Sequence, residues 1–363
     1  MSCIKRICIF VCFMTLQASE YHSYDSTSPR ILRSFDLDSQ FLPQQYEQRD
    51  AIKENSQYFL KRFENSYMFI PIIRNMITQE RLPQEFLFVA MVESEFITNA
   101  KSSKRATGIW QIIPTTAKSL GLEINDYIDE RKDPVKSTRA ALMYLKYLYN
   151  QTGQWYLAVM AYNCGYTRLQ KAIQQAGGDT SLHVLIDDNK KFLPRETRNY
   201  IRKIVAMSLL FNDVDFLKEN DLEYLLNRGA TNTLATLKFK SGVPLGLIAN
   251  SIGLSLKELR KYNTHLKYAF LPPGPASKKY NVHIPYEKLA LFLQNFDSSS
   301  YKANSAFVLH KVQKGETLSS ISRQYKTTIS ELKRINGLNS SLLTIKQKLV
   351  IPIPKKSTRK NIN

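Results

Sequence analysis

Two carboxylates, Glu93 and Glu95, lie one residue apart in the stretch MVESEF. If PQEFLFVAMVESEF is one helix, Glu93 falls on its apolar face, whereas Glu95 is turned about 200° away and is expected to be solvated or hydrogen-bonded. A carboxyl group among apolar side chains loses hydration, which raises its pKa and suits it to act as a general acid near neutral pH. The pattern makes Glu93 a candidate catalytic acid. A salt bridge from Glu93 to a basic neighbour is the alternative that the pattern leaves open.

Three downstream segments carry polar groups that can bond sugar hydroxyls or acetamides. They are ATGIWQIIPTTA, AVMAYNCGYTRL and FLPRETRNYI, and their polar groups are Gln111, Asn163 and Glu196. Each polar group lies beside aromatic residues or a glycine that permits close approach of a ligand. Taken singly, Trp110 and Tyr162 are more typical of a protein core than of a ligand platform.

Helices must position these residues, because the pattern is helical from about residue 61 to 215. The stretch STRAALMYLKYLYNQTG predicts a long amphipathic helix that ends at Gly153. Few segments alternate as strands do, so we predict an all-α domain over 61–215. Residues 19–60 are polar with little periodicity, and we predict a loosely structured lead-in there.

An internal repeat follows after residue 228, at a constant offset of 73 residues. Each copy begins and ends with a strand pattern and has two short helices between, which predicts two compact βααβ modules over 228–286 and 307–354. A Ser-rich linker (287–306) separates them and a basic tail (355–363) follows. The repeated residues are Gly242, Leu245, Ile248, Leu259 and Asn263 in the first copy and Gly315, Leu318, Ile321, Leu332 and Asn336 in the second.

The N-terminus predicts export. Residues 1–18 have two basic residues and a short apolar run, typical of a cleaved signal peptide, and they contain three of the four cysteines. Only Cys164 would remain, so we predict no internal disulfide. The five histidines show no ligand spacing, and we predict no metal site.

The net charge of +20 falls to (51 − 2) − 31 = +18 without the signal peptide. A chain this basic suits a polyanionic partner. Because an exported protein without a nucleic-acid motif meets cell-wall polymer and membrane surface first, we predict no nucleic acid and leave peripheral membrane association open. A basic surface that serves only solubility is the alternative.

Taken together, the motifs resemble the catalytic domain of the soluble-lytic-transglycosylase family, a lysozyme-like α-domain that cleaves peptidoglycan. The resemblance covers about residues 82–200 and rests on the pair Glu93-Ser94, the GIWQ motif, the AYNCG motif and Tyr200. The repeats resemble LysM modules, which bind glycans that contain N-acetylglucosamine. The order of the parts resembles the membrane-bound lytic murein transglycosylase D family.

This resemblance implies a lyase of the periplasm or cell envelope that needs no cofactor and no metal. It implies that Glu93 protonates the bond between N-acetylmuramic acid and N-acetylglucosamine and that 1,6-anhydro ends form. The implied substrate-binding residues are Ser94, Gln111, Tyr162, Asn163, Glu196 and Tyr200. In the second module, which keeps the GETL start where the first has GVPL, the implied glycan-binding residues are Gly315, Thr317, Leu318 and Asn336.

Two other functions stay open. A lysozyme-like hydrolase would use the same acid with a second carboxylate that activates water, for which Asp126, Asp129 and Glu130 are candidates. A non-catalytic wall-binding protein would carry Glu93 as a remnant. The joint presence of Glu93, Gln111 and Asn163 favours an enzyme over that second alternative.

Overall fold

The computed structural model describes residues 27–63, 67–226, 233–275, 277–297, 306–336, 338 and 340–353. The predicted signal peptide and basic tail lie outside the described residues. The described residues form two compact units, one from 27–97 with 138–226 and one from 98–137 with 233–353. Among the described residues, no helix has both the length and the apolar character needed to cross a membrane.

The first unit is helical, as predicted. The helices described up to residue 219 are α1 (Thr27–Ser34), α2 (Leu42–Glu54), α3 (Ser56–Phe63), α4 (Ile70–Gln79), α5 (Leu87–Ser94), α6 (Pro114–Ser119), α7 (Pro134–Thr152), α8 (Trp155–Cys164), α9 (Tyr166–Gln175), α10 (Leu182–Leu185), α11 (Arg195–Leu210) and α12 (Val214–Glu219). Of these, α6 belongs to the second unit and α7 begins in it. Helix α7 is the long helix predicted from the amphipathic pattern. Gly153 follows it with φ of +74°, which is why the helix ends there.

The prediction of a loosely structured lead-in was wrong for its described part, because α1, α2 and most of α3 lie within 27–60. Ile31, Leu32 and Phe35 are buried in the core of the first unit, and the Phe35 ring stacks on Phe86 with centroids 5.6 Å apart. Helix α2 has little apolar periodicity, and α1 and α3 are each only 8 residues long, so none of the three has a long periodic pattern in the sequence. Tertiary packing supplies the stability that the local pattern lacks.

Helix α5 ends at Ser94, earlier than predicted. Glu95 has φ of +52° and Phe96 has φ of +60°, so the chain turns out of the helix directly after Ser94. The Glu95 amide still donates to the Met91 carbonyl at 2.8 Å. Glu95 is half-buried in this turn, which corrects the prediction that it is a helical residue.

Most of segment 98–133 is irregular, which the prediction of a helical pattern throughout missed. Buried Arg131 holds the segment together: its guanidinium donates to Asp129 at 2.8 and 2.9 Å and to the Arg105 and Ile112 carbonyls at 2.8 and 3.1 Å. A Cβ on Gly108 would lie 2.0 Å from the Arg131 carbonyl oxygen. The turn at Gly108 can therefore pack only with a glycine there.

The rest of the second unit contains the two predicted βααβ modules. The elements of the first module are β1 (Leu234–Lys240), α13 (Leu245–Ser251), α14 (Leu256–Tyr262) and β2 (Lys279–Pro285), and α15 (Leu289–Asn295) follows. Those of the second are β3 (Ala306–Lys311), α16 (Leu318–Gln324), α17 (Ile329–Asn336) and β4 (Lys348–Ile353). Strands β1 and β2 pair antiparallel with Thr236 opposite His283, and β3 and β4 pair antiparallel with Leu309 opposite Val350.

The packing explains the 73-residue repeat. The repeated leucines and isoleucines are all buried in their modules. Asn263 donates to the carbonyls of Leu259 and His283 and accepts from the His283 amide, at 2.7 to 2.9 Å. Asn336 makes the same three hydrogen bonds, to Leu332 and Val350, at 2.8 to 2.9 Å. The repeated asparagine thus ties the second helix of each module to its last strand.

The predicted linker over 287–306 begins too early. Helix α15 lies within it and buries Phe292 against Phe239, with ring centroids 5.7 Å apart. Phe296 packs on the same ring at 5.4 Å. These aromatic residues belong to the core of the first module, since a lone strand pair with two short helices buries little apolar surface.

Candidate active site

Glu93 is the second-last residue of α5, and the Tyr200 hydroxyl of α11 donates a hydrogen bond to its Oε1. Residues before Glu93 in α5 are buried, including Val89 and Ala90. Glu93 as a whole residue is half-buried, so it lies at the edge of the apolar core. This is the position that the apolar face of the sequence predicts.

The surroundings of Glu93 raise its pKa to about 7. Burial is the largest cause, the Tyr200 hydrogen bond opposes it, the negative charge of Glu196 adds to it, and the positive charge of Lys203 opposes it. A carboxyl group with a pKa near 7 is protonated in a large share of molecules at neutral pH and regains a proton readily. Glu93 is thus equipped to donate and then accept one proton.

Two tyrosines enclose this carboxyl group. The pKa values of Tyr162 and Tyr200 are raised well above their usual range, first by burial and then by the charge of Glu93. The Tyr162 ring packs on Tyr144 with centroids 5.7 Å apart. Both phenols therefore stay protonated and can donate hydrogen bonds beside Glu93. Tyr162, predicted singly as a core residue, is half-buried at this site.

The AYNCG motif forms the end of α8 and the turn into α9. Buried Thr197 of α11 donates its hydroxyl to Asn163 Oδ1 at 2.7 Å, which leaves the Asn163 amide NH₂ pointing away from this bond. Gly165 has φ of +87°, which allows the sharp turn. Burial raises the pKa of Cys164 to about 11, so its thiol is protonated at neutral pH.

The remaining predicted substrate residues lie in different surroundings. Ser94 is buried at the end of α5, and Glu196 is exposed in the first turn of α11. Gln111 belongs to the second unit, where its Nε2 donates to the Gly108 carbonyl at 2.9 Å and its backbone has φ of +45°. Trp110 beside it is fully buried, in agreement with a core role.

The candidate residues of the second module divide into two groups. Leu318 is buried, and the Asn336 side chain makes its hydrogen bonds with backbone groups, so both residues stabilise the module. Gly315 and Thr317 are exposed, with Thr317 accepting a hydrogen bond from the Ser320 amide at the start of α16. Only the second pair is placed to meet a glycan.

Sequence reasoning missed three features. Lys203 carries a charge that acts on Glu93, and Thr197 donates a hydrogen bond to Asn163. The available signal was that Thr197 lies one helical turn before Tyr200 and Lys203 one turn after it. The third is a buried group of Asp133, His265 and His283 in the second unit, whose ligand atoms lie within 4.8 Å of one another. The sequence spacing of the histidines does not report this group, because the fold joins residues that are far apart in the sequence.

The three carboxylates proposed to activate water in a hydrolase contact basic residues instead. Asp129 is paired with Arg131, and buried Glu130 forms an ion pair with Lys136 and accepts from the Glu123 amide at 2.9 Å. Asp126 is exposed and lies 3.4 Å from Lys348 Nζ. The structure therefore assigns structural contacts to the first two.

Comparison with known proteins matches three family models to this chain. A transglycosylase SLT domain matches residues 71–183, a lytic transglycosylase MltD LysM-like domain matches 233–301, and a LysM domain matches 310–352. The chain is 30% identical over 329 residues to membrane-bound lytic murein transglycosylase D of Escherichia coli, an alignment that covers 84% of this chain and 69% of that protein. The chain belongs to the membrane-bound lytic murein transglycosylase D family. The helical lysozyme-like fold and the LysM modules expected from the sequence are thereby confirmed.

Beyond the membrane-bound lytic murein transglycosylase D family, the matches are more distant. The probable peptidoglycan endopeptidase LytE of Bacillus subtilis is 33% identical over 116 residues, 32% of each chain. Among solved structures, the 70-kDa soluble lytic transglycosylase of Escherichia coli is 24% identical with a TM-score of 0.32, covering 38% of this chain and 22% of that one.

Proposed function

We propose that this member of the membrane-bound lytic murein transglycosylase D family is a peptidoglycan lytic transglycosylase with Glu93 as its catalytic residue. It cleaves the β-1,4 bond from N-acetylmuramic acid to N-acetylglucosamine and leaves 1,6-anhydro-muramic ends. The observation that carries this proposal is the single carboxyl group with a pKa near 7, held by Tyr200 at the edge of the core.

In the first step, protonated Glu93 donates its proton to the glycosidic oxygen. The bond from that oxygen to C1 of the muramic acid breaks, and positive charge develops at C1 and the ring oxygen. In the second step, the Glu93 carboxylate accepts the proton of the C6 hydroxyl of the same sugar, and the C6 oxygen bonds to C1. The proton returns to Glu93, so the reaction consumes no water.

The surrounding residues support both steps. Tyr200 fixes Glu93 Oε1, and its hydrogen bond stabilises the carboxylate that forms after the first step. Glu196 has a negative charge near the developing positive charge and supports the reaction without acting as a nucleophile. We propose that Ser94, Gln111, Asn163, Tyr162 and Tyr200 bind the sugars, with the Asn163 NH₂ directed by Thr197.

The modules keep the enzyme on an insoluble polymer. The second module is proposed to bind glycan through its exposed start, with Gly315 and Thr317. Two linked weak sites bind more tightly than either site alone, because the second contact forms at high effective concentration. We propose that residues 1–18 direct export, and that the protein acts in the periplasm, where the basic charge also favours anionic wall polymers and membrane surface.

Digestion of purified peptidoglycan tests this function. Muropeptides released by the wild type and by Glu93→Gln are weighed by mass spectrometry, with Glu95→Gln as the matched control two residues away. We expect anhydro-muramyl products from the wild type and from Glu95→Gln, and loss of turnover in a folded Glu93→Gln variant, because its amide keeps the shape and cannot donate the proton.

Other products would contradict the proposal in distinct ways. Products heavier by one water would identify a hydrolase. A folded Glu93→Gln variant with normal turnover would refute the role of Glu93. No soluble products from any of the proteins would identify a wall-binding protein instead of an enzyme.

A further inference from the structure

Three ionisable side chains are buried together inside the second unit. Asp133, His265 and His283 have side chains that are 0% to 1% exposed. One ligand atom from each lies within 4.8 Å of the others. Burying such groups costs free energy unless each polar atom finds a partner.

The fold itself does not need polar residues at these positions, as the second module demonstrates. The 73-residue offset aligns Thr236 with Leu309 and His265 with Leu338. Strand pairing aligns His283, opposite Thr236, with Val350, opposite Leu309. The second module therefore has apolar side chains where the first has two histidines and a threonine. The polar residues of the first module lie where its interior contacts Asp133.

The polar atoms of Asp133 and His283 are paired except for one. Asp133 Oδ1 accepts from the amides of Val135 and Lys136 at 2.9 Å and lies 3.0 Å from His283 Nε2. His283 Nδ1 contacts Thr236 Oγ1 at 3.0 Å. Asp133 Oδ2 is buried without a hydrogen-bond partner.

His265 also has one buried atom without a hydrogen-bond partner. Its Nε2 lies 3.2 Å from the Asn281 carbonyl oxygen, which can only accept, so Nε2 carries the proton and Nδ1 carries the lone pair. Nδ1 is the atom without a partner. An outer hydrogen bond that fixes the tautomer is typical of histidines that bind metal.

We propose that Asp133, His265 and His283 form a binding site for a divalent transition-metal ion of the Zn²⁺ class. Two imidazoles and one carboxylate are a ligand set that Zn²⁺ prefers. One ion would satisfy Asp133 Oδ2 and His265 Nδ1 and would replace the contact of His283 Nε2 with Asp133.

The distances agree with such a site. Ligand atoms on a tetrahedral ion with bonds of about 2.0–2.1 Å are roughly 3.4 Å apart. One ligand atom from each of the three side chains lies within 4.8 Å of the others, and His283 Nε2 lies 3.0 Å from the Asp133 carboxylate. Side-chain shifts of roughly 1 Å would bring the three ligand atoms to the tetrahedral spacing.

The site would have a structural role. It is closed to solvent, and it joins segment 98–137, which carries Asp133, to the first module, which carries both histidines. Small modules without disulfides often gain stability from a bound metal. The ion would fasten the irregular segment that bears Gln111 to the LysM-like module, and the proposal is independent of the catalytic role of Glu93.

Metal analysis of the whole untagged chain from Ser19 on tests the site. The protein is loaded with ZnCl₂, passed over a desalting column and analysed for zinc by mass spectrometry. His265→Gln and His283→Gln are compared with His183→Gln, which removes an exposed histidine elsewhere. We expect about one zinc per chain in the wild type and in His183→Gln, and near zero in the other two variants.

Two further readouts do not depend on the variants being folded. CoCl₂ added to the chelator-treated wild type should give the visible absorption of a tetrahedral Co²⁺ site, and ZnCl₂ at about 100 times its Kd should raise Tm by roughly 5–10 °C. Near-zero zinc in the wild type, with no cobalt band and no rise in Tm, would overturn the proposal in favour of a metal-free polar cluster. Zinc that persists in folded His265→Gln and His283→Gln would also overturn it, because the ion would then bind elsewhere.

Discussion

At the residue scale, two exposed charges act on Glu93 in opposite directions. Glu196 raises the pKa of Glu93 and Lys203 lowers it. Activity requires the protonated acid, so the alkaline limb of the kcat/KM profile follows this pKa. We expect Glu196→Gln to move that limb to lower pH and Lys203→Met to move it to higher pH, each by a few tenths of a pH unit, since both charges are exposed and screened.

The two variants are expected to shift the alkaline limb in opposite directions, so the effect is read from the separation between their two profiles. The profiles are measured on soluble muropeptide fragments at low and high salt, and the separation between the two variants should shrink at high salt. Equal shifts in the same direction would mean that the limb reports another group.

Glu93 also links stability to pH. Its folded-state pKa of about 7 is above the ordinary value of 4.5, so its contribution to stability is fully present below pH 4.5 and is lost as pH rises through 7. The loss amounts to at most about 3 kcal/mol. Glu93→Gln has no such loss, so we expect its free energy of unfolding to exceed that of the wild type at pH 8 by up to this amount and to match it at pH 4.5.

Urea unfolding at the two pH values measures this difference. Glu95→Gln removes one carboxylate from the same turn and controls for charge loss. A Glu93→Gln variant that is less stable than the wild type at pH 8 would show that ionised Glu93 is satisfied in the folded state.

The sequence predicted Glu93 because the apolar face that desolvates it is local to α5. It did not predict the tuning of its pKa, because Tyr200, Glu196 and Lys203 reach Glu93 from α11, more than 100 residues later. Tyr200 and Glu196 were predicted as site residues from a motif, which carried no information on how they act on the acid. Local patterns report burial, whereas pairwise electrostatics depend on tertiary contacts.

At the scale of elements, Gly108 decides how the segment around Arg131 packs. A Cβ at Gly108 would lie 2.0 Å from the Arg131 carbonyl, and φ is +86°; at Gly121 φ is +73° and nothing lies within 4 Å. Gly121→Ala should therefore cost about 1 kcal/mol from backbone strain alone. Gly108→Ala should cost more than about 3 kcal/mol, because the backbone must move as well.

Chemical unfolding of both variants gives the comparison. The difference between them isolates the steric clash, since both glycines have a left-handed backbone. Similar losses for the two variants would mean that the segment can shift at little cost.

The repeated asparagine gives a second prediction at this scale. Asn336→Ala removes three hydrogen bonds between α17 and β4, so we expect the second module to lose about 2–3 kcal/mol of stability. Asn295→Ala, which removes one exposed hydrogen bond to Ser251, should cost less than about 1 kcal/mol. We expect Asn336→Ala to lose glycan binding only under conditions in which the second module unfolds. Circular dichroism recorded during the glycan titration reports that unfolding. A folded variant that no longer binds glycan would place Asn336 in the glycan site.

Elements were predictable where the pattern is long or repeated. Helix α7 and the βααβ modules were correct because periodicity and the 73-residue offset report them directly. The short helices α1 and α2 and the irregular segment 98–133 were missed, since their stability comes from contacts distant in sequence, such as the Phe35–Phe86 stack and the hydrogen bonds of Arg131.

At the scale of the whole molecule, the modules should control retention on the wall more than chemistry. We expect removal of residues 298–363 to reduce retention on insoluble peptidoglycan by roughly ten-fold or more, and activity on soluble fragments by less than roughly two-fold. Salt should lower the retention of the full chain further, because its net charge of +20 contributes to binding an anionic polymer. Equal losses on both substrates would contradict a targeting role.

The position of the cut matters, because α15 belongs to the first module. A cut after residue 286 also removes Phe292 and Phe296 from the Phe239 cluster, whereas a cut after residue 297 leaves all three rings in place. We expect the longer truncation to lower Tm of the first module and the shorter one to leave it within a few degrees, although Phe270 loses its contacts with Ile335 and Val350 in both. Retention and Tm, measured on both truncated proteins, separate the loss of a binding module from the loss of core packing. If removal of residues 298–363 unfolds the first module, the two modules fold as one unit. The targeting role is then tested with point variants at Thr317 instead.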